Sequence, residues 1–259
     1  MSYEDFSLFY DRLTENVDYE GLATYYSNML KRYGYGCAQR ELLDLACGSG
    51  NLSLPLKNKG YNVTGCDLSP DMLTAAARKE SDIRWLCNDM TQLSFNKEFD
   101  CVVCALDSLN HLESREEIFE TFKGIFAALK PGGVFAADMN TIYKHTRVLE
   151  NNAFTFDYEG MYCGWQNELD EKDPLYRVDM YLDFFRENKD GSYTRFSDSL
   201  SEIAISADDT VKMLEECGFE VCEISEYPTG VKLSEAPAAE KYIFAARKKR
   251  RKEKKLRGV

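Results

Sequence analysis

The sequence predicts an α/β fold, a mostly parallel sheet with helices on both faces, and three observations lead there. Short apolar runs alternate with amphipathic segments of helical period from about residue 40 to residue 140. The first run, ELLDLACGSG, ends in glycines and turns into a helical segment, and the second, YNVTGCD, ends in an acid and does the same. Three further runs, IRWLCNDM, FDCVVCALD and PGGVFAADMN, continue the alternation, which right-handed crossovers convert into neighbouring parallel strands. Ligands of such a sheet belong at the carboxyl ends of its strands.

Taken in order, Tyr3 to Tyr33 places Phe6, Phe9, Tyr10, Leu13, Leu22, Tyr25, Tyr26, Met29 and Leu30 at helical intervals, which predicts two amphipathic helices. A helix over LSLPLKNKG should stop at Gly60, and another should start at Ser69-Pro70, a cap followed by a proline at the first helical position. EEIFETFKGIFAALK is amphipathic through Ile118, Phe122, Ile125, Phe126 and Leu129. From about Phe154 the period becomes two: FTFDYEG, YRVDMYLDFFRE and YTRFSDSLSEIAI read as antiparallel strands, with Asp190-Gly191 at a hairpin turn. Ser206 and Asp209 form a capping box for a helix that Gly218 ends, and FEVCEISEY and EKYIFAARK complete seven strands. The expected organisation is a helical cap over 1–36, the sheet domain over 37–145 and 206–247, an antiparallel insertion over 146–205 that lids the cleft, and a basic tail over 248–259.

The composition, 44% hydrophobic and 29% charged, is that of a globular protein. No apolar run reaches the roughly 20 residues of a membrane helix, and the acidic start MSYEDFSLFYDRL is unlike a secretory signal. The expected location is cytoplasmic. Nine scattered cysteines fit buried thiols in a reducing compartment. Cys101 and Cys104 form the one C-x-x-C, but they lie in an apolar strand with no second pair, so no metal site is expected. Arg247 to Arg257 carries a local charge of +8, which leaves −20 of the chain's −12 on the remainder. So acidic a body argues against a broad phosphate-binding face, although the tail could attract RNA or an acidic partner.

The chemistry concentrates at Asp44-Leu45-Ala46-Cys47-Gly48-Ser49-Gly50 and at Asp67. Glycines in a strand-to-helix turn let backbone approach a ligand, and a carboxylate ending the next strand can accept from both hydroxyls of a ribose. A nicotinamide dinucleotide fingerprint would need glycine at 46, 48 and 51, where this chain has Ala46, Gly48 and Asn51. The D-x-x-x-G-x-G form instead resembles the first motif of class I S-adenosylmethionine-dependent methyltransferases, whose cofactor carries no phosphate. GCDLSPDML, NDM at 88–90, FDCVVCALDSLNHL and LKPGGVFAADMN extend the resemblance in order over about residues 40–140. The run CALDSLNHL, the opening FSLFYDRL and the antiparallel insertion after the fifth strand are similar to a subgroup of small bacterial methyltransferases of unassigned substrate.

That resemblance implies a Rossmann-like, doubly wound seven-stranded sheet and S-adenosylmethionine as cofactor. It implies that Ala46, Gly48 and Gly50 line the methionine moiety, that Asp67 binds the ribose diol and that Leu68 packs on adenine. Asp89 would accept from the adenine amine, Met90 would offer its backbone N–H, Leu106 and Asp107 would approach the amino-acid end, Asp44 would support the loop and Tyr10 would face the cofactor. Each also has a plainer reading: Asp44 can tie its own turn, while Leu68, Met90 and Tyr10 can be core. Methyl transfer needs orientation and desolvation more than a strong base. For an amine acceptor that must lose a proton, the candidates are His111, Asp138 and Tyr143. The expected acceptor is a small molecule. An RNA or protein methyltransferase tethered by the tail, a noncatalytic cofactor-binding interaction protein and a nicotinamide oxidoreductase are the alternatives.

Overall fold

The structure is a computed structural model and describes residues 11–34, 40–170 and 174–249. Of the two helices expected at the N-terminus, the second is α1 (Tyr19–Tyr33), capped by Asp18, whose carboxylate accepts from the Gly21 N–H at 2.9 Å. The first falls largely outside the described residues, and so does Tyr10. The βα alternation follows as β1 (Glu41–Leu45), α2 (Ser53–Asn58), β2 (Asn62–Asp67), α3 (Pro70–Lys79), β3 (Arg84–Cys87), β4 (Phe99–Cys104), α4 (Arg115–Ala128) and β5 (Leu129–Asn140). Ser69 caps α3 as expected, accepting from the Met72 N–H at 3.3 Å. Leu129 and Lys130 go to β5 rather than to the helix before them, because β5 begins directly where α4 ends.

After the insertion, α5 (Ala207–Glu216), β10 (Phe219–Glu226) and β11 (Lys241–Lys248) return to the same sheet, whose strand order is β10-β11-β5-β4-β1-β2-β3. Only β11 runs antiparallel to its neighbours. One face of the sheet buries Ile118, Phe122 and Ile125 of α4 with Met213 and Leu214 of α5. The other buries Leu22, Tyr26, Met29 and Leu30 of α1, a helical stripe, with Leu52 and Leu56. Cys101 and Cys104 sit three residues apart in β4 and therefore enter opposite faces.

The insertion forms a separate antiparallel sheet of four strands, β6 (Ala153–Tyr158), β7 (Met161–Leu169), β8 (Val178–Glu187) and β9 (Tyr193–Glu202). Strand β7 is additional to the three segments expected, since Gly164 and Trp165 interrupt its alternation of buried and exposed positions. Arg177 bonds the Glu113 carbonyl at 2.9 Å and Arg186 lies over the Phe196 ring. The tail also begins later than expected. Lys248 is a buried residue of β11 that donates to the Phe126 and Leu129 carbonyls, so its charge is structural.

Trp85 ties the first two βα units together. It pairs with Gly65 across β2 and β3, and a Cβ at Gly65 would stand 2.3 Å from its ring, while one at Gly50 would stand 2.7 Å away. Gly65→Ala must therefore displace the indole, and overpacking of this kind costs about 1–3 kcal/mol. We expect that loss in urea unfolding, with Gly164→Ala, whose added methyl meets nothing within 4 Å, within about 0.5 kcal/mol of wild type.

Candidate active site

The carboxyl ends of β1, β2 and β4 surround a cleft of about 450 Å³. The turn after β1 takes left-handed backbone at Ala46 (φ 56°), Gly48 (φ 53°) and Gly50 (φ 79°), which turns its N–H groups toward the ends of the neighbouring strands. Asp67 fastens the turn from β2: one carboxylate oxygen accepts from the Gly48 N–H at 2.7 Å, the other from the Ser69 N–H at 2.9 Å. Burial raises the Asp67 pKa against the pull of these N–H groups. Of the cofactor residues expected from the sequence, Ala46, Gly48, Asp67 and Leu68 line this cleft, as do Asp89, Met90 and Leu106. Leu68 is 69% exposed at its mouth, unusual for an apolar side chain and suited to a planar ring stacked on it.

Asp89 is engaged locally. It accepts from the Thr91 N–H and hydroxyl, each at 2.8 Å, and from the Gln92 amide at 3.1 Å, and the Thr91 backbone bond first of all lowers its pKa. Asp44 lies beneath the turn in an adjoining narrow recess shared with Ala46, Gly48 and Leu106. It takes the Ser53 hydroxyl at 2.5 Å, and burial pushes its pKa up to about 7. Gly50 lines neither space; its missing side chain makes room for Trp85.

One residue that the sequence reading passed over completes this end. The Asp11 carboxylate accepts from Ser49 Oγ at 2.5 Å, Asn51 Nδ2 at 2.9 Å and Lys79 Nζ at 2.8 Å, which pins the N-terminal segment onto the glycine turn. Nothing local in DFSLFYDRL distinguishes Asp11, whose partners lie 38 to 68 residues away.

The end of β4 is shaped by consecutive left-handed residues, Leu106 (φ 57°) and Asp107 (φ 53°). Both of their N–H groups donate to Asp138 of β5, at 2.8 and 3.0 Å, and Asp138 also accepts from the Tyr26 hydroxyl at 2.6 Å and faces Lys241 Nζ at 3.5 Å. Asp107 does not line the cleft: it accepts from Asn140 Nδ2 at 2.7 Å and pairs with Lys241 at 3.2 Å. Burial alone would raise its pKa, but Lys241, then Lys144 and His111, hold it low, at about 2. Tyr143 stands apart from these groups, on a separate hollow of about 250 Å³ beside Ile205 and Tyr242.

His111 does line the cleft, together with Leu200 from β9 of the insertion. Its Nδ1 lies 3.2 Å from the Ser201 carbonyl, which can only accept, so Nδ1 carries the proton and Nε2 the lone pair in the neutral ring. Nε2 faces Glu202 at 3.7 Å. The same carboxylate accepts from Asn140 at 2.8 Å and meets Nε2 of the fully buried His145 at 3.2 Å, whose Nδ1 faces the Tyr176 carbonyl at 2.8 Å. Glu202 thus joins His111, Asn140 and His145 in one polar cluster between the insertion and the sheet.

The walls fit S-adenosylmethionine. Among the described residues, no lysine or arginine lines the cleft or the recess, so nothing there answers a pyrophosphate, whereas carboxylates and apolar groups suit a nucleoside joined to a sulfonium. The family profile described as "Methyltransferase domain" matches residues 42–133. A methyltransferase-family protein of Geobacillus sp. (strain WCH70) is 33% identical over 257 residues, covering 96% of this chain and 100% of that one. The glycine/sarcosine N-methyltransferase of Aphanothece halophytica is 26% identical over 230 residues, 86% of this chain and 80% of that one. The crystal structure of an S-adenosylmethionine-dependent methyltransferase from Clostridium acetobutylicum ATCC 824 superposes with a TM-score of 0.84 at 29% identity, over 96% of this chain and 100% of that one. The chain belongs to the class I S-adenosylmethionine-dependent methyltransferases, and S-adenosylmethionine is its cofactor.

Asp44 gives the site a pH signature. Its folded pKa of about 7 stands above the ordinary aspartate value of 3.8. The stability it allows is therefore complete below the unfolded pKa and is lost as pH rises through about 7. We expect Asp44→Asn to gain stability relative to wild type between pH 5 and pH 8 in urea unfolding, by at most about 3 kcal/mol, since about two pKa units of the difference lie in that window at 1.36 kcal/mol each.

Proposed function

We propose that this methyltransferase acts on the nitrogen of a small-molecule acceptor, and that His111 takes the proton the nitrogen loses. The observation that carries the reading is the His111 ring on the cleft wall, with Nδ1 at the Ser201 carbonyl and Nε2 3.7 Å from the Glu202 carboxylate, which would stabilise the proton that Nε2 gains. When bound, the cofactor supplies an electrophilic methyl group on a sulfonium. The protein's share is orientation and exclusion of water: Asp67 and the turn it fastens bind the ribose, Leu68 and Met90 flank the adenine, and Leu106 closes the methionine end.

Of the other proposed bases, Asp138 holds the Leu106–Asp107 turn with both oxygens, and using it as a base would break those bonds. Tyr143 faces another hollow. Leu200, Ser201 and Glu202 all come from β9, which supports the insertion as the lid of the cleft. The glycine/sarcosine N-methyltransferase supports nitrogen as the atom methylated. No helix among the described residues is long and apolar enough to cross a membrane.

The test supplies methyl-labelled S-adenosylmethionine with the metabolite, RNA and protein fractions of a cell extract. Label is expected in small, acid-extractable amines; label confined to RNA or protein would refute the reading. On the amine so found, His111→Ala should lower kcat about a hundredfold, the lower end of general-base effects. Its Kd for S-adenosylmethionine, measured calorimetrically, should stay within about threefold, since the ring is assigned to the acceptor rather than the cofactor.

A further inference from the structure

A second cavity, about 470 Å³, opens beside the cofactor cleft where α1, the segment after β10 and the start of β11 meet. Leu106 lines both, so the two spaces adjoin at the residue assigned above to the methionine end of the cleft. The floor of the second cavity is Leu22, Tyr26 and Asp138, all buried. Its sides are the half-buried rings of Tyr25 and Tyr227, packed edge to face with centroids 5.3 Å apart, and Asp18 stands at its rim.

The charges around it select one kind of occupant. Among the described residues Lys241 is the only cation lining it, and its ammonium already faces Asp107 at 3.2 Å and Asp138 at 3.5 Å. Those carboxylates hold the Lys241 pKa above its ordinary value although burial works against them. A ligand anion reaching Lys241 would meet both carboxylates. The Asp18 carboxylate has no ion-pair partner among the described residues; it accepts the backbone cap from the Gly21 N–H. Two tyrosine rings and the carboxylate of Asp18 beside the apolar Leu22 suit an organic cation.

We infer that this cavity receives the methyl acceptor as an amine with an aromatic or aliphatic body, its nitrogen directed to the Leu106 wall. The inference rests on the small-molecule nitrogen reading above and adds the place and the chemical class. In the transfer, the amine first gives its proton to water or to His111, which lines the adjoining cleft; its freed lone pair then forms the new carbon–nitrogen bond while the carbon–sulfur bond breaks with its electron pair going to sulfur.

The test is calorimetric and needs no turnover. Benzyltrimethylammonium, which mimics a fully methylated product, is titrated into protein saturated with S-adenosylhomocysteine, with benzoate as the anionic counterpart. We expect saturable binding of the cation and none of benzoate. Tyr25→Leu should weaken the cation at least fivefold while Tyr25→Phe, which keeps the ring, stays within about twofold. Asp18→Asn, which retains the helix cap, should weaken it about threefold. Unchanged S-adenosylhomocysteine affinity in each variant establishes that it folds. Preference for benzoate, or cation binding indifferent to both Tyr25→Leu and Asp18→Asn, overturns the assignment. If small amines are methylated but the cation ignores Tyr25, the cavity assignment fails alone. If the cation binds as expected but label enters only RNA or protein, the nitrogen reading fails instead.

Discussion

The buried carboxylate of Asp138 governs the geometry on which the rest of the site depends. Two consecutive non-glycine residues in left-handed backbone cost about 1–2 kcal/mol each. Against this, Asp138 accepts from the N–H groups of both strained residues and from Tyr26, and hydrogen bonds to a charged group contribute about 1.5–3 kcal/mol apiece. The bonds outweigh the strain. Lys241 compensates the buried charge, so the turn is held by a satisfied cluster rather than by an exposed loop. The consequence is positional: Leu106 is thrown outward between the cofactor cleft and the second cavity, and Asp107 is turned back into the ionic cluster with Asn140 and Lys241.

The same logic joins the insertion to the sheet domain. Glu202 ends β9, yet its carboxylate lies among Asn140 at the end of β5 and His111 and His145 of the segments following β4 and β5. Removing any one partner would leave a buried charge less compensated, which costs more than the loss of a surface pair. Packing of Leu200 over the cleft therefore follows from polar anchoring two residues further along the strand as much as from apolar contact. The carbonyl of Ser201, between those two residues, sets the tautomer of His111.

What the sequence made legible was local. The glycine turn, the acid closing β2, the caps at Ser69 and Ser206 and the alternation of strands with helices each leave a signature within about ten residues, and the structure places them as expected. The cleft residues Ala46, Gly48, Asp67, Leu68, Asp89 and Met90 could be named because a motif carries them. Asp11, Glu202 and Lys241 have no such signature, since each acts through partners tens of residues away in the chain. Asp138 was legible as important and misjudged in kind. From sequence it is an acid at a strand end, and only the fold shows both its oxygens taken by backbone and by Tyr26. Strand β7 escaped because its alternation is broken at Gly164 and Trp165.

If the acceptor is the amine proposed above, the distribution of charge connects it to the cofactor. A sulfonium and a protonated amine repel each other, and at a few ångströms in a partly buried site that repulsion reaches several kcal/mol. The carboxylates of Asp67, Asp89 and Asp138 line the two spaces, and the body outside the basic tail is strongly acidic, so each cation alone is welcome there. Both together are tolerable only if the amine sheds its proton as it approaches Leu106, and a protonated nitrogen has no lone pair with which to attack. Deprotonation thus satisfies the electrostatics and the chemistry in one step. On the proposed reading, a correctly oriented base such as His111 suffices for it, because repulsion from the sulfonium already lowers the amine's hold on its proton.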